Sequence, residues 1–200
     1  MKGSPTGLEG GQRLEIRIAG LGGQGVVTIG RILGLAFSVH EGLNSVNTQS
    51  YGPESRGGAC RSEVVVSAGE IYYPYVRRAD LLVVLTQVAL EAYLDDLRPG
   101  GALLADRDGV LEIPPRPQGR VLWLPFMETA HRLGGVRFQN VVALGAIQGL
   151  LGDRLGEGSL KEALAQVLPG EYLEVNLAAF EAGRRLVSIP GPERGEVGGP

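Results

Sequence analysis

Leu14, Ile16 and Ile18 fall on one side of the segment 14–19, which gives it the two-residue period of a β-strand. Glycines follow at once. Val26, Ile29, Leu33 and Ala36 then recur at helical spacing, so the unit reads strand–loop–helix. Residues 43–48 form a second short strand that leads into the loop QSYGPESRGG. Residues 61–67 and 70–73, joined across Ala68-Gly69, predict a pair of strands around a tight turn. The apolar run 81–85 suits the centre of a parallel sheet, and a helix over 87–97 is expected to stop at Pro99-Gly100-Gly101. Strands at 102–105 and 120–124 follow. The final third predicts helices over 128–133, 141–151, 160–168 and 176–187, with Ser159 and Glu162 as a capping box for the third.

This alternation predicts a single α/β domain over 13–188: a Rossmann-like, largely parallel sheet flanked by helices, with an edge hairpin. Segments 1–12 and 189–200 are rich in small, turn-forming residues and are expected to be flexible tails.

The 200-residue length is enough for one domain to bury a core without disulfide or metal staples. A net charge of −3 argues against general attraction to nucleic acid or an anionic membrane surface. Cys60 is the one cysteine, which excludes an internal disulfide and any Cys-rich zinc or iron–sulfur site built by this chain alone. The single cysteine, with no secretory apolar region, points to the cytoplasm. No apolar run approaches the roughly 20 residues that span a bilayer. Lys2 and Lys161 are the only lysines; this reliance on arginine points to a thermophilic source.

Gly20, Gly22 and Gly25 satisfy G-x-G-x-x-G, and Gly23 opens the loop further. The motif stands after a strand and at the start of a helix, where backbone N–H groups and the helix dipole can face an anion. As a nicotinamide-cofactor signature it is incomplete. The end of the second strand reads Thr48, Gln49, Ser50 instead of carrying an acid, and Glu41 lies at the end of the helix, before that strand. A tight turn that only lets helix and sheet pack closely explains the glycines equally well. The second loop displays Glu54 and Arg56 between Pro53 and the glycines Gly52, Gly57 and Gly58. Such a loop suits partner docking or an anionic ligand held through Arg56, or else a turn that satisfies its own charges.

Taken together, GLGGQGVVTIGRILG (20–34), SYGPESRGG (50–58) and SEVVVS (62–67) closely resemble the γ subunit of 2-oxoacid:ferredoxin oxidoreductases. The similarity continues through ADLLVVLTQVALEAY (79–93), GGALLAD (100–106), QNVVALGA (139–146) and NLAAFEAG (176–183), leaving out only the tails. The resemblance implies a subunit, inactive alone, of a complex that oxidatively decarboxylates a 2-oxoacid to an acyl-CoA and passes electrons to ferredoxin. Thiamine diphosphate, Mg and iron–sulfur clusters are then expected in the partner subunits, and CoA at the surface of this one. The positions carried over are Gly22, Gly23, Gln24 and Gly25 in the first loop. In the second they are Tyr51, Gly52, Pro53, Glu54, Arg56, Gly57 and Gly58. The YGPE-x-RGG form resembles the 2-oxoglutarate or general 2-oxoacid branch more than the pyruvate branch. Neither nucleic acid nor membrane is an expected partner, and a homodimer of the isolated chain through partner-facing surfaces is compatible with the role.

Other residues carry blander readings. His40 and His131 lack metal-like spacing and read as surface or capping groups. Asp106 and Asp108 follow a strand, where ligands gather, but turn chemistry with Gly109 explains them as well. Cys60 reads as a small buried residue, and Trp123 and Phe126 as core or interface.

Overall fold

In the computed structural model, which describes residues 12–50, 59–115 and 119–188, the apolar alternation of the first segment becomes β1 (Arg13–Gly20). Leu14, Ile16 and Ile18 point into the larger core, and the charged side chains between them take the opposite face of the sheet. α1 (Val26–Leu35) follows and ends in a π-helical turn, Ala36–His40, before β2 (Asn44–Ser50). β3 (Cys60–Ser67), β4 (Ala79–Val84), α2 (Gln87–Tyr93), β5 (Leu97–Asp106) and β6 (Arg120–Leu124) complete the sheet region. α3 (Phe126–Arg132), α4 (Gln139–Leu151), α5 (Glu157–Val167) and α6 (Leu173–Ser188) close the domain.

The six described strands lie in the order β2-β3-β1-β4-β5-β6. β3 pairs antiparallel with both β1 and β2, and the other pairings are parallel. The largely parallel α/β sheet expected from the sequence is therefore present, with β4 at its centre and the hairpin at one edge. That hairpin is β2–β3, however, and not 61–67 with 70–73. Residues 70–73 form no strand because the chain turns away after Ser67, where the Ser67 hydroxyl accepts from the Gly69 amide (3.0 Å) and Asn44 donates to the Gly69 carbonyl (3.0 Å). Side chains from the sheet take over the backbone groups of this stretch. Arg13 donates to the carbonyls of Tyr73 (2.6 Å) and Tyr75 (2.7 Å), and Arg17 to that of Val76 (3.0 Å). Glu15 accepts from the Arg77 amide (2.7 Å) and Glu63 from the Val76 amide (3.3 Å).

Helix boundaries also move, and those of α2, α5 and α3 have identifiable causes. α2 ends at Tyr93, four residues early, because Leu97 is drawn into β5 and buried against the α2 face of the sheet. α5 starts at Glu157 behind Gly156 and not behind a Ser159 cap. Glu41 accepts from the Gly156 amide at 2.8 Å and fixes the chain one turn earlier. α3 starts at Phe126 because Asp106 accepts from the amides of Phe126 (3.0 Å) and Met127 (3.3 Å), a cap supplied from β5.

The larger core fills the space between one sheet face and α1, α3, α4, α5 and α6. α4 is the central helix: residues 141–148 are buried on every side, so it shows no amphipathic stripe. α6 crosses it in backbone contact, and a Cβ at Gly183 would lie 1.9 Å from the Val142 carbonyl oxygen. On the opposite face a smaller core joins α2 to β4, β5 and part of β1 and β3, with Tyr93 fully buried. No helix among the described residues is long and apolar enough to cross a membrane.

Candidate functional site

β1 and β4 are neighbouring parallel strands whose helices leave to opposite faces, α1 into the larger core and α2 into the smaller. The chain order also diverges there, towards β3 and β2 on one side and β5 and β6 on the other. The crevice at the carboxyl ends of β1 and β4 is thus the topological switch point, where open α/β sheets receive ligands. The glycine loop occupies it. Gln24 closes the loop on itself: its Oε1 accepts from the Leu21 amide at 2.7 Å, and its own amide donates to the Leu21 carbonyl at 3.3 Å. Gly22 and Gly23 are exposed, and a Cβ at either would meet nothing within 4 Å.

Gly25 caps α1 with φ 73°, and a Cβ there would lie 2.3 Å from Asn140 Nδ2. Gly25 is therefore needed twice, for its backbone angle and for the approach of α4. The start of α1 has no side-chain cap and no acidic residue in its first turn, so its positive dipole end faces solvent beside the open loop.

The second predicted loop springs from the same edge. Gly20 pairs with Cys60 and Ser50 with Arg61, so the chain leaves the described structure at Ser50 and returns at Ala59 beside the end of β1. Tyr51, Gly52, Pro53, Glu54, Arg56, Gly57 and Gly58 lie outside the described residues. Their stems stand next to Gly22, Gly23, Gln24 and Gly25. Beside them, Thr48, Gln49, Ser50, Arg61, Glu63 and Tyr75 line a cleft of about 210 Å³.

The dinucleotide reading meets a geometric obstacle. β3 stands between β1 and β2, so the end of β2 is two strand spacings from the glycine loop, roughly 10 Å, where a dinucleotide fold needs one. Glu41 is engaged elsewhere, on Gly156.

Asp106 is fully buried at the end of β5 and holds Gln139, the residue before Asn140, through its second oxygen (2.5 Å). This links the β5 end, the α3 start and the α4 turn that supports the glycine loop. Burial pushes the Asp106 carboxyl above its usual range, against the opposing pull of the Met127 amide and the Gln139 side chain. Asp106 and Asp108 thus act as struts: Asp108 accepts from the Glu128 amide at 2.9 Å. His40 ties the π turn to α5 through Glu162 (2.9 Å) and Gln166 (3.2 Å), whereas His131 is exposed on α3. Phe126 is core, and Trp123 donates to the Val110 carbonyl at 2.9 Å. Burial raises the pKa of the Cys60 thiol. Among the described residues no group of three or more His, Cys, Asp or Glu is placed to hold a metal ion.

Sequence reasoning missed a buried ionic cluster on the α2 side of the sheet. Arg17 binds Glu63 through Nε (2.9 Å) and Nη2 (2.7 Å) and also binds Asp96, while Arg61 reaches Glu63 at 3.3 Å. Both guanidiniums lie over the Tyr93 ring. The signal was available in the alternation of Arg13, Glu15 and Arg17 along a strand with no solvent-facing side.

Comparison with known proteins places this geometry. Residues 15–186 match the family model described as pyruvate ferredoxin/flavodoxin oxidoreductase. The 2-oxoglutarate synthase subunit KorC of Methanothermobacter thermautotrophicus is 45% identical over 184 residues, covering 88% of this chain and 95% of that protein. The γ subunit of a keto/oxoacid ferredoxin oxidoreductase from Geobacter sulfurreducens superposes with a TM-score of 0.78 at 37% identity, covering 88% of this chain and 98% of that one. The 2-oxoglutarate:ferredoxin oxidoreductase of Magnetococcus marinus, solved with 2-oxoglutarate, coenzyme A and succinyl-CoA bound, gives the same TM-score at 28% identity. There the match covers 88% of this chain but 31% of the longer chain.

Proposed function

Because the chain belongs to the pyruvate ferredoxin/flavodoxin oxidoreductase family, we propose that it is the γ-type subunit of a cytoplasmic 2-oxoacid:ferredoxin oxidoreductase whose substrate is 2-oxoglutarate. In this reading the edge that carries the two loops forms part of the coenzyme A-facing surface. The observation that carries it is the convergence of the two loops: the stems of 51–58 meet the glycine loop at the switch point of the sheet through the Gly20–Cys60 and Ser50–Arg61 pairings.

The residues present fit an anionic ligand such as a phosphate of coenzyme A. Open glycine backbone, an uncapped helix start and a first turn free of acids together favour negative charge. Gly22 and Gly23 would let the phosphate approach the backbone, Gln24 would keep the loop braced, and Gly25 with Asn140 would hold it against α4. Arg56 would add a charged donor from the second loop, and Tyr51, Gly52, Pro53, Glu54, Gly57 and Gly58 would belong to the same surface by their place in the sequence. Thiamine diphosphate with Mg and iron–sulfur clusters, held by sister subunits in this reading, would supply the decarboxylation and the electron path to ferredoxin. In this reading the part of this chain is to hold a phosphate of coenzyme A at the glycine loop.

Co-expression with the sister subunits tests the reading, with 2-oxoacid- and coenzyme A-dependent dye reduction as the assay. The complex should prefer 2-oxoglutarate to pyruvate, and Arg56→Ala should raise the coenzyme A KM with little change in the KM for the oxoacid. Full coenzyme A-dependent turnover in a complex lacking this chain would overturn the proposal, and a pyruvate preference would overturn the substrate assignment.

A further inference from the structure

The segment between β3 and β4 does something no connecting loop requires. It lies across the part of the sheet that α2 does not cover, and Arg13, Glu15, Arg17 and Glu63 pin its backbone from beneath. The surface it presents outward is consequently fixed before any partner arrives, which lowers the ordering cost of association.

That surface has the composition of an interface centre. Tyr72, Tyr73 and Tyr75 are 89%, 40% and 50% exposed, in a chain only 6% aromatic. The rings of Tyr73 and Tyr75 meet edge to face at 5.5 Å, and the Arg77 guanidinium stacks 4.3 Å from the centre of Tyr73. Tyrosine and arginine are the residues enriched at binding hot spots, where a rigid side chain fills a pocket. A pocket is present: Arg13, Glu15, Glu70, Tyr72, Tyr73 and Arg77 enclose a cleft of about 260 Å³. Arg77 and Arg78 are both exposed, and among the described residues neither guanidinium forms an ion pair with a carboxylate; that of Arg78 donates to the Asp95 carbonyl at 3.1 Å. Arg13 pairs with Glu15 and Glu70 lies beside Tyr72, so with Arg77 and Arg78 the surface carries an excess of one positive charge.

We infer that the Tyr72–Tyr73–Tyr75–Arg77 surface seats a sister chain of the complex, one that presents carboxylates around an apolar contact. The inference rests on the subunit role proposed above and adds the face through which it is exercised. In the Magnetococcus marinus relative the matched domain makes up 31% of a longer chain, so a domain of this kind occurs there beside further parts of the same protein. A protein surface answers both features of the patch, since its carboxylates match the Arg77 and Arg78 guanidiniums and its side chains fill the cleft beside Tyr72 and Tyr73.

The test is co-expression of the tagged chain with its sister subunits, comparing wild type with Tyr72→Ala, Arg77→Glu and the control Leu111→Ser, an exposed position on another loop. Sister subunit recovered per tagged chain should fall at least tenfold in each patch variant and stay unchanged in the control. Circular dichroism of the isolated variants should match wild type, because both altered side chains lie outside the fold. Wild-type recovery in both patch variants overturns the proposal. So does intact assembly with slowed ferredoxin reduction, which would give the patch to ferredoxin, or loss only of a homodimer of the isolated chain. Failure of wild type to capture any sister subunit would instead overturn the subunit role itself.

Discussion

Replacing Glu63 with alanine removes one half of a buried ion pair and leaves the other half in place. Glu63 and Arg17 are 2% and 4% exposed. Two Arg17 nitrogens share one Glu63 oxygen, while the other oxygen accepts from the Val76 amide at 3.3 Å and the Thr48 hydroxyl at 3.4 Å. Breaking a buried pair from one side costs about 3–5 kcal/mol, because the surviving charge stays desolvated. Asp96 and the Val76 carbonyl still hold Arg17, which places the loss near the lower end, about 3 kcal/mol. For a domain of this size each kcal/mol moves the unfolding midpoint by about 2–4 °C, so calorimetry should show a fall of about 6–12 °C. A double variant, Arg17→Met with Glu63→Leu, should regain at least half of that loss, since apolar side chains of similar volume replace buried pairs well. A fall below about 2 °C in the single variant, or no recovery in the double, would refute the view that this cluster anchors the 69–78 segment.

Other outcomes follow from the same geometry. Gly183→Ala forces a methyl onto the Val142 carbonyl and should destabilise the domain by about 2–3 kcal/mol in urea titration, whereas an unchanged midpoint would mean that α6 can shift freely. Asp106 has its carboxyl pKa raised in the folded state, chiefly by burial, so the native protein binds that proton more tightly than the unfolded chain does. Its contribution is greatest below about pH 3.9 and is lost as pH rises through the folded value. Asp106→Asn keeps an acceptor for the α3 amides, and the wild-type advantage over it in urea midpoint should shrink between pH 4 and neutrality; a constant gap would refute this. Cys60, with its thiol pKa raised by burial, should react with iodoacetamide far more slowly at neutral pH than in urea. Calorimetric titration with NAD at about 1 mM should show no binding, and a Kd below about 0.1 mM would overturn the argument from strand order.

Most of the fold could be read from the apolar pattern, because the larger core depends on it directly. Leu14, Ile16 and Ile18 predict a strand and form one, and the continuous run at 81–85 predicts the centre of a parallel sheet and forms β4 there. Several of the failures share one cause: side chains distant in sequence decide where an element begins. Asp106 starts α3, Glu41 sets the start of α5, and Arg13 and Arg17 hold 73–76 out of the sheet. Local propensity at Ser159 or across Ala68-Gly69 contains no information about those partners. At the glycine loop the sequence allowed for positive φ, and Gly25 adopts it, with its close approach made by Asn140 of α4. Asn140 was not legible, because only the packing of α4 against the loop brings it to Gly25.

The insertion of β3 explains why a glycine fingerprint persists here without the acid that usually accompanies it. In a dinucleotide fold the second strand lies beside the first, so a carboxylate at its end reaches the ribose while the glycine loop holds the phosphates. Here β3 takes that neighbouring place in the opposite direction. A strand running backwards delivers its start, not its end, to the carboxyl edge, and the residues leading into its start are the second loop. The swap therefore exchanges a ribose-binding acid for a loop bearing Glu54 and Arg56 while leaving the anion-facing helix start unchanged. An edge built this way keeps an uncapped helix start that favours negative charge, lacks an acid beside the glycine loop to hold a ribose, and carries in its place the stems of the 51–58 segment.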